Sequence, residues 1–158
     1  MLACKRFKAE IAHRLTDSYS KRCQSYHGHS YLFEVSLRSN TLDKNSMVMD
    51  FGEVKDQLNV FFDRFDHTMV VSDEDEFGAR LVELMQEGNM RYMVVPYNPT
   101  AEQMANHAMT YILESPLAMY VESVRVQETL TGWCTVTPDD YNPMSLTDVY
   151  YSQECING

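Results

Sequence analysis

Cys23-Gln24-Ser25-Tyr26-His27-Gly28-His29-Ser30-Tyr31 is the stretch from which the rest of the chain is read. Side chains on an extended strand alternate faces with a period of two. His27 and His29 therefore share a face, which continues through Tyr31, Phe33, Val35 and Leu37. The other face carries Gly28, Ser30, Leu32, Glu34, Ser36 and Arg38. The pattern predicts a strand whose buried face begins with two imidazoles and goes on as core. Upstream, Phe7, Ala9, Ile11 and His13 alternate with Arg6, Lys8 and Glu10, a second strand whose apolar face ends in a histidine. If the two pair antiparallel, His13 meets His27 and His29 at the open end of the hairpin, with residues 14–26 looping over them. Three neutral imidazoles with a fourth position left free suit a catalytic zinc. Cys23 lies on the covering loop. A lone His-x-His also reads as an incidental surface pair; the third histidine on the matching face favours the metal.

Ala12-His13-Arg14-Leu15 and Cys23-x-x-x-His27-Gly28-His29 resemble the 6-pyruvoyltetrahydropterin synthase family. The three-residue gap between cysteine and His-Gly-His is similar to the family's bacterial branch, the 6-carboxy-5,6,7,8-tetrahydropterin synthases. Met47-Val48-Met49-Asp50-Phe51, Asp66-His67, Asn98-Pro99-Thr100-Ala101-Glu102 and Glu128-Thr129 follow in the family's order. Where the family usually continues Asp66-His67 with a Leu-Asn, this chain has Val70-Val71.

A chain of 158 residues fits one domain spanning 1–158, long enough to bury a core. No apolar run is long enough for a membrane span, and the N-terminus lacks the apolar core of a signal peptide. Cys4, Cys23, Cys134 and Cys155 show no zinc-ribbon or redox spacing, which together with the missing leader predicts reduced thiols in a cytoplasm. The formal net charge of −10 argues against nucleic acid as a partner. It also sits awkwardly with a triphosphate substrate. Arg14, Lys21 and Arg22, clustered in the loop between the histidines, could offset it locally or be ordinary solvated charges.

Asp50 reads as a helix N-cap with Glu53 three residues on, ahead of Val54, Leu58, Phe61, Phe62 and Phe65 at helical spacing. That helix delivers Asp66-His67 at its end. Asp73-Glu74-Asp75-Glu76 opens a second, exposed helix ended by Gly88-Asn89, its acidic run a solvated face. Tyr92–Val95 reads as a short strand. Thr100 caps a third helix whose stripe is Ala101, Met104, Ala105, Ala108, Met109 and Ile112; Glu102 there compensates the dipole, and His107 is left without a role. Val124, Val126 and Glu128 mark a strand whose apolar face ends in a carboxylate, with Trp133–Thr137 its hairpin partner. From about residue 138 the tail has no clear period. The order predicts α+β: helices on one face of an antiparallel sheet.

The resemblance implies the tunnelling fold, in which sheets of several subunits close into a barrel, removing exposed edges. It implies zinc on His13, His27 and His29, a proton-accepting Cys23, an Asp66–His67 acid/base pair, and Glu128 binding a pterin and joining the proton relay. Two N–H donors of an aminopyrimidine edge match one carboxylate, which makes Glu128, at the far side of the sheet order, the substrate anchor. The implied substrate is a pterin triphosphate, processed by a homo-oligomer with sites at subunit interfaces. Formation of the 6-pyruvoyl product, or non-catalytic pterin binding, are the alternatives.

Overall fold

Strands β1 (Leu2–His13) and β2 (His27–Arg38) pair antiparallel along their whole length, His13 opposite His27 and Leu2 opposite Arg38. They do so in a computed structural model that describes residues 1–157. The alternation drives the pairing: Phe7, Ala9, Ile11, Tyr31, Phe33, Val35 and Leu37 are all buried on one face. Each large apolar side chain contributes about 1.5–3 kcal/mol on leaving water. Of the next three helices, α1 (Phe51–Asp63), α2 (Glu76–Glu87) and α3 (Ala101–Leu113), the first and third cover this face. Phe62 of α1 stacks on Phe7 at 4.4 Å, and Phe61 stacks on Tyr111 of α3 at 4.3 Å. Asp50 caps α1 by accepting from the Gly52 amide, and Thr100 caps α3 by accepting from the Gln103 amide.

The α+β class stands, but the sheet is mixed rather than wholly antiparallel. The further strands are β3 (Thr68–Ser72), β4 (Tyr92–Val95), β5 (Val121–Gln127), β6 (Trp133–Val136) and β7 (Tyr150–Tyr151). Among the described residues the sheet has seven strands in the order β6-β5-β2-β1-β3-β4-β7. The half from β1 to β6 is antiparallel, whereas β3 runs parallel to both β1 and β4. The reason lies in α1. Phe51 starts beside Lys5, Phe62 lies on Phe7, and Asp66 accepts from the Glu10 amide, so the chain climbs alongside β1. It leaves the helix already pointing β1's way, and β3 enters beside Ile11 and Ala12. Val70-Val71 is thus strand.

Helix α2 makes the crossover from β3 to β4 that parallel neighbours need. The expectation that all helices share one face fails for this one. Val70 and Met93 join the main core, while Val71 packs at Gly78 of α2 and the Tyr92 hydroxyl accepts from Gln86. Neighbouring residues on a strand point to opposite faces, so α2 lies on the other side of the sheet. Its C-terminal turn uses Asn89, not Gly88, at positive φ (49°).

The aperiodic tail is also structured. A 3₁₀ turn (Leu146–Asp148), β7 and helix α4 (Gln153–Asn157) cover the outer edge of β4, with Met93 opposite Tyr151. Arg91 ties this segment down, donating to the backbone carbonyls of Glu154 (2.7 Å), Asp63 (2.7 Å) and Asp66 (3.1 Å). No helix among the described residues is long and apolar enough to cross a membrane.

His107 finds its role here. It is fully buried, its Nδ1 2.8 Å from the Tyr97 hydroxyl and its Nε2 3.3 Å from that of Tyr151 in the tail. Burial first, then the Arg64 guanidinium, depress its pKa to about 3. The unfolded imidazole titrates near 6.5, so below that pH the unfolded state binds the extra proton and stability falls. From pH 7 to pH 5 this group alone removes about 2 kcal/mol. Between the two pH values, the unfolding free energy from denaturant titration should fall further in the wild type than in His107→Asn by about that amount; parallel losses would refute it.

Candidate metal centre

The register of β1 and β2 assembles the three histidines. His13 ends β1 directly across from His27, which starts β2, and His29 lies across from Ile11. One ligand atom from each falls within 4.8 Å of the others. The ring centroids of His13 lie 4.6 Å from His27 and 5.5 Å from His29. Two rings are oriented from behind. The Nδ1 of His13 sits 2.7 Å from the Pro99 carbonyl, and the Nδ1 of His27 sits 2.8 Å from the Ser25 carbonyl. A carbonyl only accepts, so both Nδ1 atoms carry the proton and both Nε2 atoms keep a free lone pair. Carbonyl-oriented imidazoles of this kind are the usual support of metal-binding histidines. Burial lowers the pKa of His13, against the Pro99 carbonyl, and favours the neutral form a metal requires. The donor set therefore fits a zinc-type ion. The same contact explains the Asn98-Pro99-Thr100 turn, which holds the ring of His13 in place.

Glu128 is not on the far side of the sheet. Strand β5 is the immediate neighbour of β2, with Gln127 opposite Leu32, and this brings the Glu128 carboxylate to the cluster. Its Oε1 accepts from the Tyr31 hydroxyl at 2.7 Å and lies 3.6 Å from the Nε2 of His13. That hydroxyl is itself 3.3 Å from the same nitrogen. Burial, then the Glu128 charge, push the Tyr31 pKa upward, so it stays a donor. Cys134 nearby is pushed up to about 11 by burial, then by Glu102 and Glu128, and is a neutral thiol. Sequence periodicity marks Tyr31 only as core, yet it continues the face of His27 and His29 one step deeper, and that continuation is the signal for its place in the site.

The other expected residues are placed apart. Cys23 is half-buried on the loop over the cluster, its carbonyl accepting from the Leu15 amide at 2.8 Å. Its sulfur is not among the atoms grouped with the histidines. Arg14 is already paired and not a free cation for a triphosphate, because its Nε and Nη2 donate to Asp75, at 2.7 and 3.0 Å. Lys21 donates to Gln24. Asp66 and His67 do form a pair, Oδ2 to Nδ1 at 3.0 Å. Partial burial raises the Asp66 pKa, but the Glu10 amide and His67 outweigh it and hold the carboxyl below its usual range. His67 has a positive φ of 52° and is largely exposed. It opens onto a cavity of about 470 Å³ lined by Glu10, Ala12, Gly28 and Ser30, and also by Ile11, His29, Thr68 and Met69. Glu10, Ala12, Gly28 and Ser30 are the positions of β1 and β2 that alternate with the imidazole face, while His29 reaches the same cavity from the cluster. Among the described residues, the ligand atoms that cluster are those of His13, His27 and His29, without Asp66 or His67.

The 6-pyruvoyl tetrahydropterin synthase family matches residues 3–139. The 6-carboxy-5,6,7,8-tetrahydropterin synthase of Rickettsia conorii is 32% identical over 134 residues, spanning 82% of this chain and 95% of that protein. The protein of the same name from Haemophilus influenzae is 30% identical, spanning 82% and 94%. Among solved structures, an uncharacterized protein of Wolinella succinogenes superposes with a TM-score of 0.73 at 20% identity, covering 87% of this chain and 98% of its own. The Caenorhabditis elegans 6-pyruvoyl tetrahydropterin synthase gives 0.63 at 20% identity, covering 87% and 94%. Fold and site together define an α+β protein of the tunnelling type. The chain belongs to the 6-pyruvoyl tetrahydropterin synthase family, and the tail beyond residue 139 lies outside the matched part.

Tyr31→Phe removes the hydroxyl that fills one Glu128 oxygen. A partly buried carboxylate that loses a donor destabilises the fold by about 1–2 kcal/mol, the lower part of the range because water still reaches it. Urea midpoints of the two proteins measure this, and an unchanged midpoint would show that the contact contributes nothing.

Proposed function

We propose that this chain is a zinc-dependent lyase that converts 7,8-dihydroneopterin triphosphate and one water to 6-carboxy-5,6,7,8-tetrahydropterin, acetaldehyde and triphosphate, a cytoplasmic step toward 7-deazaguanines such as queuosine. The observation that carries it is the group of three imidazoles, two of them carbonyl-oriented with Nε2 free, in a chain similar to synthases of that name. Zinc held by His13, His27 and His29 would supply Lewis acidity toward the hydroxyls of the substrate side chain.

The chain's own residues do the rest. Glu128, fixed by Tyr31, keeps an unshared oxygen for the N–H edge of the pterin ring. Cys23, on the loop over the cluster, takes the proton from the side-chain carbon. Asp66 orients His67, and the imidazole returns or removes a proton at the neighbouring position. This pair is not grouped with the histidines of its own chain, so a second copy supplies it, and the working unit is a homo-oligomer with sites between subunits. The open β1 edge before Glu10 and the outer edge of β6 are free for such closure.

Incubation with dihydroneopterin triphosphate, with products read by mass, should show acetaldehyde and the 6-carboxy product. In His27→Ala both turnover and bound zinc should be lost. A 6-pyruvoyl product, or full zinc occupancy in that variant, would overturn the corresponding part of the reading.

Two further variants separate base from binder. Cys23→Ala should lower kcat strongly while the affinity for a non-reactive pterin stays nearly unchanged, as expected for a group that acts only in the transition state. Glu128→Ala removes a charge-assisted contact of about 1.5–3 kcal/mol, weakening pterin binding tenfold or more. Calorimetric titration of both proteins decides, and equal pterin affinity in wild type and Glu128→Ala would show that this carboxylate is not the anchor.

A further inference from the structure

In the sequence, the acidic run that opens α2 reads as a solvated face, which fails for one of its members. In the structure one of its carboxylates, Asp75, is only 3% exposed and gathers donors from three directions. It caps α2 by accepting from the Phe77 amide at 3.1 Å. It accepts from Arg14 Nε at 2.7 Å and Nη2 at 3.0 Å, and from the Tyr26 hydroxyl at 3.3 Å. Arg14 and Tyr26 are the two ends of the loop that carries Cys23. Arg14 directly follows His13, and Tyr26 directly precedes His27.

The packing around the carboxylate is close. The Arg14 guanidinium lies 5.6 Å from the Tyr26 ring and 5.4 Å from the Phe77 ring. A Cβ on Gly78 would stand 2.9 Å from the Tyr26 oxygen and 2.4 Å from the Val71 side chain, so only glycine lets the helix approach this far. From Arg14 the connection runs on to the thiol's own residue, because the Leu15 amide donates to the Cys23 carbonyl. An ordinary buried ion pair needs no such arrangement, and on its own it adds little net stability. Here the carboxylate closes both ends of a single loop.

We propose that Asp75 is a positioning residue for the reaction: through Arg14 and Tyr26 it clamps the Cys23 loop over the histidine cluster, and α2 is the strut that carries it. The role in turnover rests on Cys23 being the group that moves the proton. The clamp itself does not, and the two are tested separately.

Full-length Asp75→Asn keeps an oxygen to cap α2 but loses the charge that holds Arg14; Tyr26→Phe loses a single hydroxyl. Alkylation of Cys23 by iodoacetamide, followed by peptide mass with the exposed Cys4 as internal reference, reads the clamp directly. Relative to Cys4, Cys23 should react about tenfold faster in Asp75→Asn, the loss of a hydrogen bond to a charged group. In Tyr26→Phe it should react several-fold faster. With dihydroneopterin triphosphate, kcat should fall about tenfold in Asp75→Asn while KM and bound metal hold. In a Cys23→Ser background the same substitution should cause no further fall, since it acts through the missing thiol. An unchanged Cys23-to-Cys4 ratio in the folded variants overturns the clamp, and so does a fall that multiplies with Cys23→Ser. If Asp75→Asn does not fold, Tyr26→Phe decides alone by the same ratio. Should Cys23→Ser itself leave kcat intact, the proton-moving role of Cys23 fails while the alkylation ratio still judges the clamp.

Discussion

The register between β1 and β2 is the constraint on which everything else depends. With a side-chain period of two, a slip of one residue would send every imidazole and every core residue to the other face. The apolar set from Phe7 to Ile11 against Tyr31 to Leu37 makes that slip costly, so the core that stabilises the hairpin also places His13 across from His27. The site therefore needs no separate scaffold. It is the end of the core, where apolar side chains give way to imidazoles while the backbone pairing continues unchanged.

Around that end, two carboxylates are held by donors from elsewhere in the chain. Glu128 is held by Tyr31 beside His13, and Asp75 by Arg14, Tyr26 and its own helix. Each carboxylate joins elements that are distant in sequence, β2 to the end of β5 in one case and the 14–26 loop to α2 in the other. Hydrogen bonds to a charged group are worth more than neutral ones and costlier to leave unmade. In a chain of net charge −10, these two carboxylates are the ones held beside the histidine cluster and at the ends of the 14–26 loop.

The parallel half of the sheet and the tail serve a different end. By entering beside Ile11 and Ala12, β3 fixes the turn that holds Asp66 and His67, and Arg91 ties that turn to Glu154 of the tail. Asp66 is thus anchored to the Glu10 amide of β1 and, through its own carbonyl, to Arg91. Such a division suits the proposed homo-oligomer, in which a second copy would complete the site.

Local periodicity determined much of this. The strands ending in His13 and beginning with His27, the caps at Asp50 and Thr100, the helical stripes and the three-histidine cluster were all legible, because each depends on spacing along the chain and on the partition of apolar side chains. Strand direction, strand neighbours and sheet face were not. Nothing in Val70-Val71 says that β3 runs parallel to β1, since that follows from where α1 releases the chain. Nothing in Glu128 says that it reaches His13, since that follows from β5 pairing with β2. Nothing in Arg14 or His107 says that one is consumed by Asp75 and the other enclosed by Tyr97 and Tyr151. Those partners are brought together only by the packed fold, where burial decides which polar groups must find each other.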